Sequence, residues 1–180
     1  PLYYTLTTKG CAIDIAAEDA AYGQIIGNTD CSTPFWTAHS GTYKVEAGTT
    51  SKLHFKNYTN GVENWTNFLV VLQNVADVHN AEVVTNYKEY AVLRADNFGW
   101  GDGYATAALE CNWNWDTFKS DMNGALVNLA VTNNGTTADV VATVTTKNGD
   151  VYTQKYTGIT VDGDLHFCLT CEGSWLCIFE

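Results

Sequence analysis

The sequence predicts an all-β protein: a single antiparallel β-sandwich, jelly-roll-like, with one or two short helices. Three observations carry that expectation. Helical periodicity is nearly absent over the 180 residues, while short alternating or continuous apolar runs recur along the whole chain. Two Asn-Gly pairs, Asn134-Gly135 and Asn148-Gly149, separate three such runs at hairpin spacing. The chain holds two prolines and has no linker, low-complexity tract or internal repeat, so residues 1–180 read as one domain.

The elements follow in order. "LYYTLTT" (2–8) alternates as a strand but has no obvious partner. "IDIAAEDAAY" (Ile13–Tyr22) is the first helix candidate. "KLHFKNY" (52–58) is a strand with Leu53 and Phe55 on one face, and "FLVVLQN" (68–74) is apolar on both faces, as a central covered strand must be. In "EYAVLRAD" (89–96), Tyr90, Val92, Arg94 and Asp96 point one way and Ala91, Leu93 and Ala95 the other. "DTFKSDM" (Asp116–Met122) is the second helix candidate. "ALVNLAVT" (125–132), "ADVVATVTT" (138–146) and "VYTQKYT" (151–157) form a meander around the Asn-Gly turns, whose tight geometry requires positive φ. "LHFCLT" and "WLCIF" close the chain as a hairpin around Glu172-Gly173-Ser174. The total is about nine to eleven strands at short spacing, the sandwich pattern.

Composition narrows the function classes. Hydrophobic residues make up 46% and charged residues 16%, which is a folded chain. The net charge of −11, from 20 acidic residues against 9 Lys plus Arg, argues against nucleic acid and anionic membrane surfaces. No apolar run approaches the roughly 20 residues of a membrane helix. Pro1 is followed by polar strand-like sequence, so a secreted protein is expected here in mature form. Cys11, Cys31, Cys111, Cys168, Cys171 and Cys177 fit an oxidising compartment, with no thiol left free. Zinc on His166, Cys168, Cys171 and Cys177 is the rival reading, at a spacing unlike the paired knuckles. Sequons stand at Asn57, Asn64 and Asn134. Together these features point to an extracellular protein.

Catalytic constellations are missing. His39, His54, His79 and His166 lie in unrelated settings, and no G-x-S-x-G segment exists. A sandwich glycosidase needs two facing carboxylates, but Glu89 and Asp96, seven apart, fall on opposite faces of a regular strand. The aromatic residues are more informative. Trp36, Trp65, Trp100, Trp113 and Trp115 sit beside Gly, Asn, Asp or Thr, which is loop company. Sugars are bound by a ring laid on the C–H face and planar side chains on the hydroxyls. Asn64, Asn67, Arg94, Asp96, Asn112, Asn114 and Asp116 supply those side chains near the tryptophans.

The segments "TPFWTAHSGTYKV" (33–45), "LHFKNYTNGVENWTNFLVV" (53–71), "EYAVLRADNFGWG" (89–101) and "NWDTFKSDMNGA" (114–125) carry a resemblance. They resemble carbohydrate-binding-module-like β-sandwich domains of secreted polysaccharide-degrading proteins from gut and rumen Bacteroidetes. The resemblance runs from about Asp30 to the C-terminus, leaving 1–29 as an N-terminal extension. It implies a non-catalytic, lectin-like role for Trp36, Asn64, Trp65, Asn67, Arg94, Asp96, Trp100, Asn114, Trp115 and Asp116. Phe35, Phe68 and Phe98 depart from the pattern but remain aromatic. The resemblance also implies one structural Ca2+, with Asp96, Asn97 and Asp102 as candidates, and no other cofactor. Within the inferred module Cys31 lies near Cys111, Cys11 would meet the C-terminal trio, and the remaining two cysteines would close the terminal hairpin. Ligands are expected to be neutral polysaccharides or oligosaccharides, because −11 repels acidic ones. The alternative is a structural subunit of an extracellular filament or surface layer, built by exchange of strand 2–8 between copies.

Overall fold

The computed structural model describes residues 24–27, 38–77 and 86–179 with their side chains, and residues 4–8 and 11–15 as backbone. Two antiparallel sheets face each other. The larger has the spatial order β3 (Gln24–Gly27), β14 (Ser174–Ile178), β5 (Thr50–Thr59), β10 (Ala125–Asn133), β11 (Thr137–Thr145), β12 (Val151–Thr160) and β9 (Ala108–Cys111). The smaller has the order β4 (Tyr43–Val45), β13 (Leu165–Cys171), β6 (Phe68–Gln73), β7 (Glu89–Arg94) and β8 (Gly99–Trp100). The β-sandwich expected from the strand pattern is therefore observed, with two short helices, α1 (Asp102–Thr106) and α2 (Phe118–Asp121). Its strands outnumber the sequence-based expectation because β3, β4, β8 and β9 run only two to four residues each.

Alternation builds the core. On β5, Leu53 and Phe55 face inward; on β10, Val127, Leu129 and Val131 do the same. Phe55 meets Phe68 of the opposing sheet edge-on, with ring centroids 5.2 Å apart. Burying each such side chain stabilises the fold by about 1.5–3 kcal/mol. The central strand β6 is buried at every position. Phe68, Val70 and Leu72 enter the main core, while Leu69 and Val71 join Val92 and Cys168 in a second apolar cluster on the sheet's outer side. The continuous apolar run at 68–72 thus reads as expected.

Several local expectations are corrected. The strand at 2–8 has a partner in its own chain: β1 (Tyr4–Thr8) pairs with β2 (Cys11–Ile15). Residues 13–15 are strand, so the helix expected to start at Ile13 does not start there; its remainder lies outside the described residues, as do Cys31, Trp36 and His79. The meander β10–β11–β12 is present, but Asn134 and Asn148 keep negative φ and only Gly135 (φ 97°) and Gly149 (φ 86°) take the left-handed region. Glu172-Gly173 is not a hairpin turn. It is a corner that carries the chain from the five-stranded sheet into the seven-stranded one, because β13 and β14 belong to different sheets.

That corner and the alternation of β13 also correct the cysteine expectation. Cys111, Cys168 and Cys171 carry free thiols. Cys171 faces the main core and Cys168 the outer cluster. Cys111 sits on β9, at the far edge of the large sheet from the β3–β14 pair. Burial pushes both the Cys168 and Cys171 thiols up to about 12, which suits inert core side chains rather than ligands. The zinc alternative fails for the same reason, since His166 shares the outer face with Cys168 while Cys171 points inward. Among the described residues no group of three or more His, Cys, Asp or Glu is placed to hold a metal ion.

A bulge in β7 changes the reading of "EYAVLRAD". Gln73 pairs with Glu89 while Leu72 pairs with Ala91, so Tyr90 is an inserted residue. Ala91, Leu93 and Ala95 face the core as expected, but Tyr90 joins them instead of facing out. Its hydroxyl donates to the carbonyls of Asp162 and Asp164, the latter at 2.9 Å. The bulge also returns Glu89 to the outer face of Val92 and Arg94, against the strict count of seven. Tyr90→Phe is expected to cost about 1–2 kcal/mol, because two chain-crossing acceptors lose their donor. A urea melt with an unchanged midpoint would show that the hydroxyl contributes nothing.

Candidate functional site

One end of the sandwich gathers three segments distant in sequence. The first is the loop after β5. Asn67 organises it from beneath: its Oδ1 accepts from Asn57 Nδ2 at 2.9 Å and its Nδ2 donates to the Asn64 carbonyl at 2.8 Å. The Thr59 and Thr66 hydroxyls bond each other at 3.0 Å, and Ser174 Oγ of the corner donates to the Asn67 carbonyl. The loop is held at both ends and presents Glu63, Asn64 and Trp65 at its crest. Trp65 is 43% exposed.

The second segment is the turn from β7 to β8. Arg94 N–H donates to the Phe98 carbonyl, and Asn97 takes φ 67°, a conformation asparagine tolerates better than most residues. Arg94 grips Asp96 through two parallel bonds, Nε to Oδ1 at 3.0 Å and Nη2 to Oδ2. Asp96 Oδ1 also accepts from the Phe98 N–H at 3.4 Å, and the Asp96 side chain is 4% exposed. The guanidinium lies 5.5 Å from the Phe98 ring centroid, a cation–π distance. Gln154 of β12 fastens this turn across the sandwich, donating to Asn97 Oδ1 at 2.9 Å and to the Arg94 carbonyl at 3.0 Å. The third segment is α2, which contributes Lys119.

These segments enclose a hollow of about 360 Å³ lined by Glu63, Asn64, Trp65, Arg94, Asp96, Phe98 and Lys119. Two cations and two carboxylates line it, so its own charge balances inside a chain of net charge −11. Asp96 is spent on Arg94. Arg94 in turn keeps both Nη1 hydrogens and one on Nη2 without a partner among the described residues, held in a fixed plane by the fork. The hollow therefore offers apolar ring surface, pre-oriented donors, and acceptors on Glu63 and Asn64.

The structure brings together Asn64, Trp65, Arg94 and Asp96 of the residues expected from the sequence. It separates the others. Asn67 is buried beneath the loop and both ends of its amide are engaged, so it positions the site instead of facing a ligand. Trp100 lies on the outer face of β8, where its Nε1–H donates to Glu89 Oε1 at 3.2 Å. Gly99 and Gly101 permit this strand because a Cβ at either would collide with the backbone of β7. Asn114 is a turn residue: its Oδ1 accepts from the Asp116 N–H and its carbonyl from the Thr117 N–H. Trp115 rests on Phe118, with ring centroids 4.9 Å apart, outside the hollow. Trp113 is a core plug whose Nε1–H donates to the Ala95 carbonyl at 3.0 Å.

Of the three calcium candidates, Asp96 and Asn97 have side-chain oxygens bonded to Arg94 and Gln154, and Asp102 is the first residue of α1. Of the sequons, Asn57 is fully buried and bonded to Asn67 and to the Met122 carbonyl, so it is closed to modification in the folded chain. Asn64 is half-buried in the wall of the hollow, and Asn134 is exposed. Sequence reasoning missed Glu63, Phe98 and Lys119 as lining residues, and Gln154 as the brace. Phe98 carried a signal as an aromatic residue within the segment "EYAVLRADNFGWG" (89–101). Lys119 and Gln154 carried none, because only folding brings them near Arg94.

No family model matches the chain, and no curated protein matches it. Among solved structures the chain is similar to the Lotus tetragonolobus seed lectin (isoform), at 13% identity and a TM-score of 0.33, over 82% of this chain and 74% of that chain. At that level the likeness assigns neither a ligand nor a site. None of these comparisons supports the resemblance to the Bacteroidetes modules in particular.

Proposed function

We propose that this protein binds a neutral glycan, without cleaving it, in the hollow between Trp65 and the Arg94–Phe98 turn. One observation carries the reading: a half-exposed indole and a guanidinium braced by a buried carboxylate converge on one hollow from separate loops. The indole suits the C–H face of a pyranose. The spare Arg94 donors, with Glu63 and Asn64 as acceptors, suit its hydroxyls. Balanced lining charge favours an uncharged ligand. Cleavage would need two carboxylates able to act on the glycosidic bond, and Asp96 is already bound through both oxygens. In this reading the protein works outside the cell, where such polymers are met.

An array of neutral polysaccharides and oligosaccharides tests the reading. The wild-type protein is expected to bind at least one, and to release no new reducing ends from it. Trp65→Ala is expected to weaken that binding about tenfold or more, since a stacked ring is worth about 0.5–1.5 kcal/mol beyond its buried area. Its melting temperature should barely move, because the indole is half in solvent. A blank array with folded protein, or undiminished binding by Trp65→Ala, sinks the proposal.

A further inference from the structure

The hollow at Trp65 has a neighbour. On the other side of Lys119 lies a second hollow of about 320 Å³, lined by Thr59, Asn60, Gly61, Lys119, Ser120 and Asn123. The same loop walls both: residues 59–61 face the second, residues 63–65 the first. Lys119 stands between them with no ion-pair partner among the described residues. We infer that the two hollows form one groove whose ligand is a stretch of polysaccharide several rings long, lying across Lys119, and not a single terminal sugar. This rests on the glycan-binding reading above and specifies its ligand.

The chemistry of the second hollow supports the inference. It has no aromatic lining, so it is not a second stacking platform; its groups are hydroxyls, amides and the Lys119 ammonium. Two of those amides are pre-oriented. Asn60 Oδ1 accepts from the Val62 N–H at 3.0 Å, and Asn123 Oδ1 accepts from the Thr59 N–H at 3.2 Å. Each bond fixes the amide plane and leaves the NH2 without a partner among the described residues, beside the hollow and ready for a hydroxyl at small entropic cost. Residue 61 is a glycine, so no side chain divides the space. The two hollows share Lys119 and open from opposite ends of one loop, so consecutive rings of a single chain can occupy both. A chain therefore stacks one ring on Trp65 and hydrogen-bonds the following rings along Asn60 and Asn123.

The test is calorimetric titration with a length series of oligosaccharides from whichever polymer the array identifies. For wild-type protein, affinity should rise with chain length from the monosaccharide and then level off. Ser120→Trp fills the second hollow from an exposed position on α2. It should remove the length-dependent gain, about tenfold or more for the longest oligomers, and leave the shortest ligand unaffected. A monosaccharide bound as tightly as the chain overturns the groove while leaving glycan binding standing, and needs no variant to be seen. Equal losses for short and long ligands, or none for long ones, in a Ser120→Trp protein with unchanged melting temperature overturn it too. Absence of binding at every length overturns both readings.

Discussion

Arg94→Ala is expected to lower stability by about 3 kcal/mol and to abolish measurable glycan binding, the largest combined effect of any single change at the site. The reason lies in its partner. The Asp96 side chain is 4% exposed, and without the guanidinium its carboxylate keeps a single long bond from the Phe98 N–H. An unpaired buried charge costs more than the pair itself contributes. For a chain of this size each kcal/mol moves the melting temperature by about 2–4 °C, so the expected fall is roughly 6–12 °C. The double variant Arg94→Ala/Asp96→Ala should be more stable than Arg94→Ala alone, because no charge is then stranded. Arg94→Lys should recover part of the stability but not the binding, since an ammonium cannot fork onto Asp96 and still present a planar pair of donors. If Arg94→Ala melts with the wild type, the pair is an exposed strand-end contact of the kind that contributes little.

Trp113→Ala is expected to destabilise the fold by about 3–5 kcal/mol, with a fall in melting temperature of roughly 6–20 °C. The indole is packed between Phe118 at 5.7 Å and Tyr152 at 5.7 Å, and its Nε1–H satisfies the Ala95 carbonyl. Truncation opens a cavity and strands that acceptor directly beneath the Arg94–Phe98 turn. Glycan binding should weaken along with stability. Trp115→Ala, two residues along, should shift stability by no more than about 0.5 kcal/mol, because its ring is half in solvent. Thermal melts of the two variants side by side check the contrast; equal melting temperatures would mean that Trp113 is no plug.

That pair of tryptophans shows where the sequence stops being informative. Trp113 and Trp115 stand in "CNWNWD", each next to asparagine, and no local rule separates the buried ring from the exposed one. The difference is which of them meets Ala95 when the sheets close. The strand pattern was legible because it is local. Alternation placed Leu53 and Phe55 inward, the continuous run at 68–72 marked a strand covered on both sides, and two Asn-Gly pairs spaced the meander. Where a backbone irregularity intervened, the period misled: one inserted residue at Tyr90 turned that ring into the core and brought Glu89 to the other face.

The sequence alone determined the sandwich, its central strands, and the types of side chain at the site, because side-chain period and turn chemistry act over a few residues. It also marked Trp65, Arg94 and Asp96 as candidates. Only the tertiary structure decided that Arg94 and Asp96 form a fork, that Asn67 lies beneath the site, and that Lys119 and Gln154 belong to it. Strand alternation already set Cys168 and Cys171 on opposite faces of one strand, but only the tertiary structure decided that the chain leaves that sheet at Glu172-Gly173. These are outcomes of which surfaces meet when two sheets stack, and pairings between residues some 60 positions apart, such as Gln154 with Arg94, leave no trace in the local pattern.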